Sequence, residues 1–223
     1  MFLELVDSLR CVRPHEDSWL IARADVLVGR HIVEGQLGCP VCGARYAIRE
    51  GVADFGAGVA LPADTLHVAR ASRERSFESD QALALRAAAL LELTESGGLV
   101  VLAGDWCAGA EALLALIDGV QFLALDAETE LRSGGALSRA RIADVLPLAA
   151  SCARGIALDA AHATPSLLAG AARSLAPNGR LIAPSSALVP DDLRELARDD
   201  EHWVAAAAPP SNVSGPVPIG LRR

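Results

Sequence analysis

Three short apolar runs, each ending in an aspartate, constrain this chain more than any other feature: Val120 to Leu125 before Asp126, Ala140 to Ala143 before Asp144, and Gly155 to Leu158 before Asp159. Continuous apolar runs of that length bounded by turn residues read as strands buried on both faces. A fourth run, Leu99 to Ala103, precedes them and ends in the glycine-bearing turn Gly104-Asp105-Trp106-Cys107-Ala108-Gly109. A helical stretch, Ala110 to Ile117, follows, with a glycine stop at Gly119. Strand, turn and helix in this order specify a parallel α/β sheet. In such a fold an acid closing the second strand, here Asp126, sits where ribose hydroxyls are hydrogen-bonded.

The later chain continues the pattern. Thr164-Pro165 offers an N-cap and a first-turn proline for a helix running to Leu175, Ala176 to Gly179 ends it, and Arg180 to Ala183 begins the next strand. A helix near Asp191 to Arg198 is expected next, then an antiparallel pair, His202 to Ala206 with Val217 to Leu221. Ahead of the sheet, Phe55 to Gly58 is a glycine-rich break, and Pro62 to Leu93 reads as helix stopped by Gly97, with Asp80 as a candidate cap. The run Arg70 to Arg75 reads as a solvated helix face.

Composition excludes several functions. The formal charge is −8 over 223 residues, which argues against nucleic-acid binding, since that needs clustered basic residues. There is no lysine, so phosphate-loop lysine and Schiff-base chemistry are excluded. No apolar run is long enough to cross a bilayer, and the first ten residues carry two acids, so a soluble, cytoplasmic protein is expected. The five cysteines are an odd number, and two form a C-x-x-C pair, which fits metal ligation better than disulfides.

That pair, Cys39 and Cys42, is followed by Gly43 in the form of a zinc knuckle. Two more ligands are needed: Cys11 stands where an opposing knuckle belongs, and the fourth is His15, four residues on, with His31 as competitor. Leu37, Tyr46 and Ile48 read as strand residues flanking the knuckle and facing the core.

The segment Gly35-x-Leu37-x-Cys39-x-x-Cys42-x-x-x-Tyr46-x-Ile48-x-x-Gly51-Val52 resembles the Trm112-like zinc-ribbon family, as does Leu5 to Cys11, although the second cysteine of the family's first pair is missing. The likeness covers about residues 1 to 55. It implies a structural zinc and a module that binds and stabilises methyltransferases, as a partner or fused to them. Asp144-Val145-Leu146-Pro147-Leu148, Asp159 and Leu167 to Ala183 resemble class I S-adenosylmethionine-dependent methyltransferases, whose helix and strand read R-x-L-x-P-G-G-x-L. That likeness covers roughly residues 96 to 223.

The resulting expectation is a zinc ribbon over 1–56, a helical connector over 57–95 and, over 96–223, a Rossmann-like, seven-stranded methyltransferase-type sheet with helices on both faces. The resemblance implies S-adenosylmethionine held by Gly104, Asp105, Gly109, Asp126 and Asp144, with His162 as a base for methyl transfer to a small molecule or protein. The family's first turn is D-x-G-x-G-x-G, and only its last glycine is matched, by Gly109. Asp105 stands for the first; a carboxylate ~4 Å from that of the cofactor would cost about 4 kcal/mol at an effective dielectric of ~20. Trp106 and Cys107 add bulk, with Cys107 placed at a helix start, where thiol pKa values fall. Three functions stay open: an active methyltransferase; an inactive methyltransferase-like scaffold engaging a protein partner through the ribbon, alone or as an oligomer; and a binder of another nucleotide.

Overall fold

The computed structural model describes residues 1–56, 80–127, 131 and 134–208. The connector from Pro62 to Ser79 with its Arg70 to Arg75 run, and the strand expected over Val217 to Leu221, lie outside these residues.

Among the described residues eleven strands form one sheet: β1 Ile21–Val28, β2 His31–Gly38, β3 Arg45–Arg49, β4 Val52–Asp54, β5 Leu99–Ala103, β6 Gln121–Leu125, β7 Leu137–Arg141, β8 Ala153–Ala157, β9 Leu175–Pro184, β10 Leu193–Arg198 and β11 His202–Ala207. Their spatial order is β1-β2-β3-β4-β7-β6-β5-β8-β9-β11-β10. From β7 to β9 all neighbours are parallel, and β11 joins β9 antiparallel. Counted along the chain from β5, this order is 3-2-1-4-5-7-6, a Rossmann-like half extended by an antiparallel hairpin, the methyltransferase-type sheet read from the sequence. The expectation of seven strands is corrected to eleven. Four N-terminal strands join the same sheet because β4 pairs in parallel with β7, Val52 opposite Arg139 and Asp54 opposite Arg141.

The N-terminal residues are also stitched to the main sheet. Arg10 N–H donates to the Pro147 carbonyl at 3.0 Å, Ala149 N–H to that of Ser8 at 2.8 Å, and Phe2 N–H to the Ser138 hydroxyl at 2.9 Å. Leu5, Leu9, Leu37 and Ile48 share one buried cluster with Val101, Leu148 and Leu167. Burial on both faces is why β5 is apolar throughout. Its Leu99, Val101 and Ala103 face that cluster, while Val100 and Leu102 face a second one beneath helices α1 (Asp80–Leu90) and α2 (Ala110–Leu116). Helix α3 (Pro165–Ser174) covers the first cluster, so helices do flank both faces.

Thr164 caps α3, its hydroxyl accepting from Leu167 N–H, with Pro165 in the first turn, as read from the sequence. Three local expectations are corrected. Helix α1 ends at Leu90, well before Gly97. Glu92, at φ 53°, takes the left-handed position, and the Leu93 N–H closes onto the Ala88 carbonyl in a Schellman arrangement. Leu193 to Arg198 is strand, because its backbone pairs with β11. The antiparallel partners of His202 to Ala207 are therefore β9 and β10.

Candidate functional site

Two groups of chemistry-bearing side chains stand out. The first lies in the N-terminal segment that carries β1 to β4. The β2–β3 connection is a knuckle in which Cys39 N–H donates to the Ala44 carbonyl and Gly43 N–H to that of Cys39, with Gly43 at φ 69° as the turn requires. It turns Cys39 and Cys42 toward the loop carrying Cys11 and His15. The four ligating atoms all lie within 4.8 Å of one another. Cys11 Sγ is 3.7 Å from Cys42 Sγ, and Cys39 Sγ is 3.4 Å from His15 Nε2. Tetrahedral zinc, with Zn–S near ~2.3 Å and Zn–N near ~2.1 Å, spaces its ligand atoms about 3.4–3.8 Å apart, so the donor set fits. The other ring nitrogen of His15 contacts the Glu16 carbonyl at 2.5 Å, which orients Nε2 inward.

His31, the alternative ligand, is elsewhere: it opens β2 and packs on Phe2 with ring centroids 5.2 Å apart. Sequence reasoning did not find Tyr46 as a neighbour of the cluster. Its hydroxyl lies 3.1 Å from Cys11 Sγ and accepts from Val12 N–H, tying the loop to the strand. Burial pushes the Cys11 thiol up. Burial acts the same way on Cys39, but the N–H groups of Cys42 and Val41 outweigh it and bring that thiol down to about 6.

The second group lies at the carboxyl ends of the parallel strands, the crevice where ligands bind in open α/β sheets. Asp126 ends β6, Asp159 follows β8, and His162 sits on the next turn. His162 Nδ1 is 2.6 Å from Asp159 Oδ1, and Nε2 is 3.1 Å from Asp126 Oδ2. The backbone closes the same network. His162 N–H donates to Asp159 Oδ1, Asp105 N–H to Asp159 Oδ2, and Ile142 N–H to Asp126 Oδ1. Burial disfavours the charged imidazole, but hydrogen bonds and charges from Asp126 and Asp159 outweigh it and raise the His162 pKa to about 9. Burial likewise opposes ionisation of Asp159, and His162 reverses this, holding the carboxyl below its ordinary value. At neutral pH the group is an imidazolium between two carboxylates, with both ring nitrogens donating.

The remaining residues of the glycine-bearing turn divide around this network. Gly104 has φ 58°, and a Cβ there would overlap the Asp159 carboxylate, so both conformation and space require glycine. At Gly109 a Cβ would meet the Ala84 backbone nitrogen at 3.1 Å; this glycine lets α1 approach the turn. The Asp105 side chain is exposed, and its backbone N–H joins the network. Asp144 is exposed on the loop after β7, and its carbonyl accepts from the Ser166 hydroxyl. Trp106 and Cys107 are buried beneath the turn. Burial pushes the Cys107 thiol up, contrary to the expectation from its place at a helix start; its Sγ lies 3.2 Å from the Leu102 carbonyl. The structure thus brings Gly104, Asp126 and His162 together. It adds Asp159, which sequence reading placed at a strand end without a role. Its spacing, three residues before His162 and third in the run of strand-ending aspartates, was the available signal.

No protein-family model matches the sequence, and no curated protein does. Among solved structures the chain is similar to one in the complex of the Haloferax volcanii Trm112 methyltransferase activator with a methyltransferase: 19% identity, TM-score 0.39, 52% of this chain and 55% of that one. It is similar to TrmN from Thermus thermophilus at 18% identity and TM-score 0.40, covering 57% of this chain and 48% of that one. An S-adenosyl-L-methionine methyl transferase from Silicibacter pomeroyi matches at 14% identity and TM-score 0.40, covering 58% and 94%. The chain therefore spans about half the length of the first two. These likenesses are partial, and the Rossmann-like, methyltransferase-type assignment rests on this chain's own strand order.

Proposed function

We propose that this chain is a methyltransferase-like binding protein whose cofactor crevice is occupied by its own side chains, and that it works by engaging a partner protein. The observation that carries this reading is the His162 imidazolium bridging Asp126 and Asp159. Asp126, expected from the sequence to hold ribose hydroxyls, has one oxygen engaged by Ile142 N–H and the other by His162. The Asp159 carboxylate packs directly against Gly104, in the turn beside which the cofactor's amino-acid end would lie. In this reading the network's own contacts stand in for those that S-adenosylmethionine would make. As placed, His162 has no free lone pair with which to act as a base.

In the ribbon, Cys11, His15, Cys39 and Cys42 would hold one zinc ion. All four positions are protein ligands, so the metal is structural. It would crosslink the Cys11 loop to the β2–β3 knuckle in a ribbon that shares a sheet and a core with the methyltransferase-like half, and this resembles a fused Trm112-like module.

A second reading, an active S-adenosylmethionine-dependent methyltransferase acting on a small molecule or a protein, is favoured by the position of Gly104, Asp126 and Asp144 at the carboxyl edge of the sheet. It requires His162 to leave Asp126. Calorimetric titration with S-adenosylmethionine and its demethylated product separates the two. The binding-protein reading expects no heat at sub-millimolar ligand; saturable binding would overturn it and leave the crevice able to take the cofactor that the second reading needs.

A further inference from the structure

The four candidate zinc ligands are not equally sheltered. Cys39 is only 4% exposed, its Sγ has the His15 ring at 3.4 Å, and the N–H groups of Val41 and Cys42 donate to it. Its backbone is tied on both sides, the N–H to the Ala44 carbonyl and the carbonyl to Gly43 N–H. Cys42, by contrast, is exposed, and Cys11 is half-buried. Their sulfurs lie 3.7 Å apart, so the most accessible thiol of the cluster stands beside a second one. Both residues lie on turns or loops outside the strands. The other two cysteines are elsewhere: Cys107 is buried beneath the crevice turn, and Cys152 immediately precedes β8.

This pair has the chemistry of an oxidation site. A cysteine that ligates a metal is held as the thiolate, the form that reacts with oxidants. Among thiolates, exposure decides which sulfur reacts first, and a neighbouring thiol decides where the reaction ends, because a sulfenic acid condenses with it to a disulfide. Exposure selects Cys42 as the sulfur attacked first. The short distance and the freer loop select Cys11, rather than the buried and tethered Cys39, as the one that resolves it.

We infer that Cys42 and Cys11 form a peroxide-sensitive disulfide site whose oxidation empties the metal site. The inference rests on the zinc assignment above and adds to it a covalent modification and the pair that carries it. The Cys42 thiolate attacks one oxygen of a hydroperoxide, forming an S–O bond as the O–O bond breaks and the other oxygen leaves as an oxyanion. The Cys11 thiolate then attacks the Cys42 sulfur, forming the S–S bond and expelling hydroxide. Together the thiolates give up two electrons, the peroxide takes both, and water supplies the protons that neutralise the two oxyanions. Only Cys39 and His15 are left as ligands, too few for a closed tetrahedral site, and the metal is released.

Hydrogen peroxide treatment of the zinc-loaded full chain tests this, with zinc content measured first, released zinc read by a chromogenic chelator, and cysteine pairing read by mass spectrometry of tryptic peptides. Cys39 and Cys42 share one tryptic peptide, so fragmentation of the linked pair assigns the bond. The expected result is about one zinc released per disulfide formed, with the bond between Cys11 and Cys42, and recovery of the site on reduction with added zinc. Cys42→His keeps a four-ligand set of kinds that zinc accepts and should slow peroxide-driven release about tenfold or more. If that variant holds no zinc, the wild-type pairing decides the matter. Zinc retained in excess peroxide, a bond from Cys42 to Cys39, release without a disulfide, or a zinc-loaded histidine variant that releases as fast as wild type would overturn the inference and leave the zinc assignment standing. A wild-type chain that takes up no zinc before treatment would overturn both.

Discussion

His162 Nε2 lies 3.1 Å from the Asp126 carboxylate, across 36 residues of sequence, and this contact closes the crevice at the carboxyl edge of the parallel strands. With Asp159 held 2.6 Å from the other ring nitrogen, one imidazolium satisfies two carboxylates that would otherwise face each other as like charges.

The first consequence is a pH dependence of stability. The folded pKa of His162, about 9, lies above its ordinary value of 6.5, so the protonated form binds more tightly in the folded state. Its stabilisation is therefore complete below about pH 6.5 and is lost as pH rises through 9. Asp159 acts in the opposite sense: its carboxyl is held below the ordinary value, so its stabilisation is present above that value and fades as pH falls through the acid range. Urea unfolding across pH 6 to 10 should show stability declining on the alkaline side. A flat profile would count against the bridge.

Removing the imidazole tests the same contacts from the other side. His162→Ala leaves Asp126 and Asp159 partly buried and unpaired, and breaking a buried charge pair in this way costs about 3–5 kcal/mol. The variant should lose the alkaline limb of the profile along with that stability. If it unfolds at the same urea concentration as wild type, the network contributes nothing.

Gly104→Ala should be more disruptive than a surface substitution of that size. The backbone there has φ 58°, a conformation that costs a non-glycine residue about 1–3 kcal/mol, and the added Cβ also displaces the Asp159 carboxylate. Gly109→Ala, by contrast, meets the α1 backbone at 3.1 Å and should loosen that helix with less effect on the His162 network. Urea denaturation for the first and amide exchange over residues 80–90 for the second separate the two effects.

Metal analysis should find one zinc per chain in the wild type. Cys39→Ser and Cys42→Ser should each abolish it, while His31→Ala leaves it unchanged. Chelation should lower the thermal midpoint, because the metal ties the Cys11 loop to the knuckle. Unchanged zinc content in both serine variants would remove the assignment.

Much of this was legible in the sequence because it is local. Asp126 and Asp159 just past their strands, the Thr164-Pro165 helix start and the Cys39 to Gly43 knuckle each draw on residues within a few positions of one another, whereas the strand expected over Ala140 to Ala143 runs over Leu137–Arg141 and leaves Asp144 on the following loop. What was not legible depends on distant backbone. Leu193 to Arg198 reads L-R-E-L-A-R, a run of good helix formers, yet it folds as β10 because β11 supplies its hydrogen bonds; tertiary pairing overrides a weak propensity. The three residues of β4 carry no signal that they will pair with β7, and that short ladder turns a seven-stranded expectation into an eleven-stranded sheet. The site divides along the same line. His162 and Asp126 were each visible as candidates for methyl transfer, but that they bind each other is a contact between two loops that no spacing rule predicts.

The most direct test of the central claim is the titration of the His162 ring itself, followed by nitrogen-15 and carbon-13 NMR of histidine-labelled protein. One imidazole should keep both nitrogens protonated through neutral pH and titrate near 9. A His162 ring that loses its proton near the ordinary 6.5 would show that it does not bridge Asp126 and Asp159, and the crevice would have to be regarded as open.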